Sequence, residues 1–196
     1  SVSRADMEAF WKQNFVPNNA ALVVAGDITM AEVRPLAEKV FGGWQRGMPA
    51  MPSLATPAST QARILIVDRP GAPQTQLRVA AIGAPRSVAE FQPIQVMNTA
   101  LGGLFSSRIN MNLREEHGYT YGAGSGFDFR RGAGPFAIAT GVRTDVTAPA
   151  VAEILKEVRA MTNSPMKTEE LARAKDARTQ SLPAGFQTSQ AAAGSF

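Results

Sequence analysis

The sequence predicts an α+β fold, with helices packed on an antiparallel or mixed sheet. From residue 63 onward, strand-like and helix-like segments follow in the order strand, strand, helix, helix, strand, strand, helix, helix. Strands that succeed one another directly form hairpins, whereas parallel strands need a crossover, so a doubly wound parallel sheet is not expected. The 196 residues, 44% of them hydrophobic, suffice for one domain with a core, or for one domain and part of another.

Residues 1–46 predict helix, strand and helix in that order. Ser3 and Asp6 have the spacing of a capping box before the apolar positions of SRADMEAFWKQNF. The apolar run NAALVVAGD predicts a buried strand. TMAEVRPLAEKVFGGW predicts a second helix that begins after Thr29 and ends at Gly42-Gly43.

Residues 47–62 predict a linker. This stretch contains three prolines and few charges, and it shows neither helical nor strand periodicity. The sequence therefore predicts a boundary here, with residues 1–46 before it and a second α+β domain in residues 63–196. We expect this second domain to be truncated at its C-terminus, since the closing SLPAGFQTSQAAAGSF completes no recognisable element.

The order of strands and helices given above is that of the second domain. In its second helix, Ile109, Leu113 and, one turn earlier, Phe105 fall on one face at helical spacing. The predicted strands are ARILIVD, TQLRVAAIGAP, YTYGAGSGFDF and GPFAIATGV, and the predicted helices are SVAEFQPIQVMNTAL, GGLFSSRINMNLREEHG, TAPAVAEILKEVRAM and TEELARAKDARTQ.

Composition excludes several classes of function. The chain has no cysteine, which rules out disulfides, thiolate-bound zinc and a thiol nucleophile. Its net charge of +4 comes from scattered basic residues, with Arg130-Arg131 as the single adjacent pair, so nucleic-acid binding is not expected. No apolar run approaches the roughly 20 residues of a membrane-spanning helix. The glycines at 122, 124 and 126 do not have the spacing of a dinucleotide-binding loop.

The one histidine of the chain, His117, does not make a catalytic centre by itself. A catalytic zinc generally takes three protein ligands, so the sequence predicts no metal site within the chain. No G-x-S-x-G segment accompanies His117, as a hydrolase triad of that type would require. Its place directly before Gly118 predicts a cation at a helix C-terminus.

Arg114 and Tyr121 are better candidates for a functional pair. The sequence places Arg114 in the last helical turn and Tyr121 on the next strand, with a chain reversal at Gly118 between them. Tyr119 is predicted to share the strand face of Tyr121 because side chains alternate with period two. An arginine and a protonated tyrosine donate hydrogen bonds and suit a peptide carbonyl or an oxyanion. A purely structural contact between helix end and strand is the alternative.

The stretch LGGLFSSRINMNLREEHGYTYGAGSGF resembles the second-domain signature of the pitrilysin/insulinase-type zinc peptidases, the inverzincins. In that family, a segment of the form L-R-E-x-x-G-x-x-Y carries an Arg–Tyr pair, and Leu113, Arg114, Glu115, Gly118 and Tyr121 match it here. The upstream GG and SRI fit as well. VPNNAALVVAGDIT and LAEKVFGGW look like the closing segment of the family's preceding domain, so the resemblance covers nearly the whole chain.

The resemblance implies a processing-peptidase-like half of a bacterial zinc metalloendopeptidase. Residues 1–46 become the C-terminal portion of a preceding related domain. Arg114, Tyr119 and Tyr121 bind the peptide substrate, and Arg114 and Tyr121 act in catalysis, with Tyr121 donating to the tetrahedral oxyanion. The zinc is bound outside this segment, by another half of the parent chain or by a partner subunit in a homo- or heterodimer. A periplasmic or cytoplasmic location is compatible with the composition.

Two alternatives stay open at this level. The first is a non-catalytic scaffold or assembly subunit of the same family, in which the Arg–Tyr pair would be expected to erode. The second is a peptide-binding module that adds a substrate strand to an exposed edge, with YTYGAGSGF and GPFAIATGV as the candidate edges. Under every reading, the 196-residue chain alone is expected to hydrolyse nothing, because it contains no zinc motif.

Overall fold

The computed structural model describes residues 1–50, 58 and 61–195. They fall into two compact units, one within Ser1–Leu54 and Ser181–Phe196 and the other within Ala55–Gln180. Most of the predicted linker lies outside the described residues, and its described part forms neither helix nor strand. The predicted domain boundaries at residues 46 and 63 stay a prediction.

Helices occur before and after the predicted linker along the chain. Helices α3 and α4 continue as π-helical turns at Thr99–Gly103 and Met111–Glu116. None of the helices in the described part of the chain has the length and apolar character that crossing a bilayer requires. The helices are α1 (Arg4–Asn14), α2 (Met30–Phe41), α3 (Phe91–Asn98), α4 (Arg108–Asn110), α5 (Thr147–Asn163), α6 (Thr168–Ser181) and α7 (Ser189–Gly194).

Capping boxes begin both long helices of the first unit. The box at Ser3 and the helix start after Thr29 were predicted, whereas the box at Thr29 was not. The Asp6 carboxylate accepts the backbone N–H of Ser3 at 2.8 Å, and the Ser3 hydroxyl accepts the N–H of Asp6 at 3.2 Å. At α2, the Glu32 carboxylate accepts the backbone N–H of Thr29 at 2.8 Å. Each box satisfies amide groups that the first helical turn leaves without a partner.

The sheet of the second unit contains β1 (Gln74–Ile82), β2 (Thr120–Phe127) and β3 (Pro135–Arg143). Its strand order is β1-β3-β2, and both pairings are antiparallel. The predicted α+β class with an antiparallel sheet is therefore confirmed. Because β3 lies in the centre, the prediction that GPFAIATGV forms an exposed edge is wrong.

Two other strand predictions are wrong within the described residues. The segment 20–25 in the first unit and the segment 61–69 in the second form no strand. Ile64 and Leu65 are 91% and 86% exposed. A strand exists through the hydrogen bonds it exchanges with a neighbour, and no described segment pairs with either run. The apolar patterns are strand-like, but a pattern alone supplies no partner.

The core of the second unit lies between the sheet and its helices. Ile138 and Val142 of β3 pack against the two turns of helix around Ile109 and Leu113 and against α5, and all four of these side chains are fully buried. Burial of one such side chain contributes about 1.5–3 kcal/mol. The predicted inner face of the helix is thus confirmed for Ile109 and Leu113. Phe105, assigned to the same face, is 60% exposed.

Candidate functional site

The helix that carries Arg114 ends in a tight reversal. The amide of His117 donates to Asn112 O, five residues back, at 3.1 Å, and the amide of Tyr119 donates to Leu113 O at 2.8 Å. Gly118 has a φ of 62°, which a residue with a side chain adopts only at a cost. The chain therefore leaves the last helical turn and enters β2 within four residues, as the sequence predicted.

This reversal brings Arg114 and Tyr121 together. The guanidinium carbon of Arg114 lies over the Tyr121 ring, 5.0 Å from its centroid. Tyr121 is 86% exposed, and its hydroxyl has no hydrogen bond to any described residue. Arg114 forms an ion pair through Nε with Glu115 Oε1 at 3.4 Å. The pair thus keeps the tyrosine hydroxyl and the terminal nitrogens of the arginine available as donors.

Phe105 belongs to the same group of side chains, and sequence reasoning missed it. The Arg114 guanidinium carbon lies 4.5 Å from the centroid of the Phe105 ring, closer than to Tyr121. Residues 104–107 form a turn and the helix begins only at Arg108, so helical periodicity does not extend back to Phe105. The signal that could have found it is Ser107, a residue typical of a helix N-cap, which marks the later helix start.

Asn110 ties the turn of Phe105 to the strand of Tyr121. Its side-chain amide donates to the backbone oxygen of Phe105 at 2.7 Å, and its carbonyl oxygen accepts the amide of Ala123 at 3.0 Å. Asn110 is 4% exposed, so both bonds form away from water. Since a buried amide without partners is costly, the side chain fixes turn and strand relative to each other.

Tyr119 lies away from this group. Its ring stacks on His117 at 4.8 Å between centroids, and it packs against the core of the second unit. The pairing of β2 with β3 shifts register between Thr120 and Ala123, and this shift interrupts the period-two alternation. The expectation that Tyr119 shares the face of Tyr121 is therefore wrong, while its contact with substrate stays a prediction.

His117 sits at the helix C-terminus, as predicted. Its Nε2 lies 3.8 Å from Glu153 Oε2 on α5. The same carboxylate accepts hydrogen bonds from Lys156 at 2.7 Å and from Asn112 at 2.8 Å. The bond from Lys156, and then the bond from Asn112, lower the pKa of Glu153 below its ordinary value. Glu153 is therefore ionised and hydrogen-bonded at neutral pH, which makes it a structural anion.

The group of Phe105, Arg114 and Tyr121 lies on an open surface. A cavity of about 490 Å³ in the same unit is lined instead by residues around Arg108 and Glu170 and includes neither Arg114 nor Tyr121. Among the described residues, no cluster of three or more histidine, aspartate or glutamate side chains is placed to hold a metal ion. Arg114 and Tyr121 can donate hydrogen bonds, and the Arg114 guanidinium lies over two aromatic rings. The group supplies no base and no metal ligands.

Comparison with known sequences matches residues 1–178 to the family model described as the peptidase M16 inactive domain. An uncharacterized zinc protease of Mycobacterium leprae is 26% identical over 144 residues. The match covers 70% of this chain and 32% of that protein. The chain thus spans about a third of the length of this relative.

Solved structures agree with the sequence match. A peptidase M16 inactive domain from Pseudomonas fluorescens superposes with a TM-score of 0.87 at 26% identity, over 99% of this chain and 46% of that chain. A protease from Helicobacter pylori gives a TM-score of 0.84 at 18% identity, over 99% of this chain and 48% of that chain. The second similarity, at its lower identity, concerns the fold alone.

Proposed function

The chain belongs to the peptidase M16 family, and on that premise we propose that it is the donor-supplying part of a zinc-dependent endopeptidase. In this proposal, Arg114 and Tyr121 bind the peptide substrate and stabilise its oxyanion. The zinc ligands lie in another part of the parent chain or on a partner subunit of the same family, in a homo- or heterodimer. The described residues do not fit a zinc site of their own.

One observation carries the proposal: the contact between Arg114 and Tyr121. Their side chains meet across the Gly118 reversal, 5.0 Å apart from guanidinium carbon to ring centroid. A contact that served only to pack helix against strand would be expected to be buried, yet Tyr121 is 86% exposed. An exposed donor pair on an open surface suits a site that another part of the protein completes.

The chemistry follows from what these side chains can donate. A guanidinium offers several N–H donors in one plane, which match the oxygen of a peptide carbonyl. A tyrosine hydroxyl is protonated at neutral pH, its reference pKa being about 10, and so donates to an oxygen that gains negative charge. Arg114 therefore binds the substrate backbone, and Tyr121 donates to the tetrahedral oxyanion, where a preorganised donor is most effective.

The test is Tyr121→Phe in the full-length protein, with a fluorogenic peptide as substrate. Loss of one oxyanion donor typically lowers kcat about 10²–10³-fold, with a smaller change in KM. Tyr119→Phe removes the other tyrosine hydroxyl of the chain. Because Tyr119 is predicted only to bind substrate, any effect of this variant is expected in KM, with kcat near the starting value. Undiminished kcat in Tyr121→Phe would refute the role of Tyr121 and favour the scaffold alternative.

The β-augmentation alternative finds less support at β2. The outward side of this strand is occupied by helix side chains, because Asn110 accepts the amide of Ala123 at 3.0 Å and Asn98 donates to Ser125 O at 3.1 Å. A substrate strand would have to displace these bonds. Peptide binding that is unchanged in Arg114→Ala would nevertheless favour an edge-binding module over the Arg–Tyr site.

A further inference from the structure

We propose that Phe105 is a positioning residue for Arg114, which holds the guanidinium in the orientation that binds substrate. This inference rests on the proposed function of the Arg–Tyr pair. The two rings of Phe105 and Tyr121 lie 4.5 Å and 5.0 Å from the same guanidinium carbon. Phe105 is thus the nearer of the two aromatic contacts of Arg114.

Ring contacts hold an arginine without using a hydrogen-bond acceptor. A guanidinium is attracted to the face of an aromatic ring by the ring's quadrupole. Among the described residues, the ion pair of Arg114 is with Glu115, at Nε, so the terminal nitrogens stay available for substrate. An arginine held by acceptors at every nitrogen would be equally rigid but unable to donate further. Two rings restrain the side chain and preserve its donors.

Hydrogen bonds hold the backbone of the turn that carries Phe105. The amide of Ser107 donates to Leu104 O at 3.1 Å and closes the turn. The buried Asn110 donates to Phe105 O at 2.7 Å and accepts from Ala123 at 3.0 Å, two residues beyond Tyr121. One amide therefore spaces both rings around Arg114. The backbone of Phe105 is thus hydrogen-bonded to a buried side chain, although its own ring is 60% exposed.

The experiment compares Phe105→Leu with Phe105→Tyr in the full-length protein, using the same fluorogenic peptide. Exposed cation–π contacts are worth an amount that corresponds to about a two- to fivefold change in binding. We expect Phe105→Leu to raise KM by that factor with little change in kcat, and Phe105→Tyr to restore the original KM. Phe186→Leu is the matched control: Phe186 is 59% exposed and lies outside the unit of Arg114.

The double variant Phe105→Leu with Arg114→Ala separates this inference from the proposed function. If Phe105 acts through Arg114, then Phe105→Leu has no further effect on KM once Arg114 is alanine. If Arg114→Ala itself leaves KM and kcat unchanged, the proposed function fails. If Arg114→Ala is impaired while Phe105→Leu is normal, or if the two effects multiply, the inference about Phe105 alone is overturned.

A direct readout of Arg114 checks the same point without turnover. In the full-length protein with ¹⁵N-labelled arginine, Arg114→Lys identifies the side-chain N–H signal of Arg114. A ring above the guanidinium shifts that signal through its ring current, so Phe105→Leu is expected to move it and Phe105→Tyr to leave it nearly unmoved. A signal that stays in place in Phe105→Leu would show that the ring does not hold Arg114.

Discussion

Gly102 allows two elements near the candidate site to approach closely, because glycine has no side chain. It lies in the π-helical turn Thr99–Gly103, against the strand β2. A Cβ at this position would fall 2.5 Å from the backbone nitrogen of Ser125. Ser125 in turn exchanges hydrogen bonds with Asn98, at 2.7 Å through its hydroxyl and 3.1 Å through its carbonyl. The close approach of helix and strand therefore depends on glycine.

We expect Gly102→Ala to lower the free energy of unfolding of the chain by about 1–3 kcal/mol, the usual cost of overpacking. The added methyl group can be accommodated only if the π-helical turn separates from β2, because backbone atoms cannot rotate away. Gly126→Ala is the matched control, since a Cβ there meets nothing within 4 Å. Urea denaturation of the three proteins measures the effect. Equal stability of both variants would contradict the close approach.

At the residue scale, the sequence predicted the pair and missed its neighbours. Arg114 and Tyr121 were found because Gly118 signals a reversal between a helix and a strand. Phe105 is predicted to share the face of Ile109 and Leu113, since a phenylalanine one turn before Ile109 fits a helical face. Phe105 does not lie on that face because the helix begins only at Arg108, after the N-cap residue Ser107. The strand face of Tyr119 is predicted wrongly because a register shift between Thr120 and Ala123 interrupts the period-two alternation.

At the scale of elements, a partly buried ion pair connects α4 to α6. Arg108 donates to both carboxylate oxygens of Glu170, from Nε at 2.5 Å and from Nη2 at 2.6 Å. The side chains are 20% and 18% exposed, so the pair is largely shielded from solvent. The bonds from Arg108 lower the pKa of Glu170 below its ordinary value. The pair therefore contributes to stability only while Glu170 is ionised.

Glu170→Gln is expected to destabilise the chain in a pH-dependent way. The folded pKa of Glu170 lies below the unfolded value of about 4.3, so its stabilisation is fully present above that value. At pH 7, the loss is expected to be about 1.5–3 kcal/mol, as for hydrogen bonds between charged groups. As pH falls through the folded pKa, the difference between Glu170→Gln and the parent chain shrinks.

Chemical denaturation at pH 7 and near pH 3 measures this difference. Asp145→Asn serves as the control, because Asp145 pairs with Arg143 on the surface, where the two side chains are 69% and 59% exposed. Such exposed pairs contribute little, so this variant is expected to resemble the parent chain at both pH values. A Glu170→Gln defect of constant size from pH 7 to pH 3 would contradict the role given to the carboxylate.

Elements were predictable where the sequence contains their determinants locally. The capping-box spacing at Ser3 and the cap residue Thr29 predict helix starts correctly, because side chain and amide lie within three residues. The hairpin of β2 and β3 followed from adjacent strand patterns. The runs NAALVVAGD and ARILIVD were wrongly predicted as strands, since pairing depends on segments distant in sequence. The sequence of each run shows its apolar character but does not show whether another segment pairs with it.

At the scale of the whole molecule, the charges and donors of the described residues are compatible with the donor role proposed for the chain. The described residues combine exposed donors at Arg114 and Tyr121 with carboxylates that are tied to cations, such as Glu153 and Glu170. Carboxylates of lowered pKa that are already hydrogen-bonded are poor bases. In the proposed function, the chain orients a peptide and stabilises an oxyanion, and the water-activating groups belong to another part of the parent chain or to a partner subunit.

Metal removal is expected to affect the full-length protein and to leave the 196-residue chain unchanged. Chelation should abolish peptide hydrolysis by the full-length protein, and added zinc should restore it. The same treatment should leave the unfolding midpoint of the 196-residue chain unchanged, because its single histidine and described carboxylates form no ligand cluster. Elemental analysis of the chain should then find no stoichiometric zinc. Peptide hydrolysis by the purified chain after chelation would overturn the division of roles, because it would require a base and an electrophile within these residues.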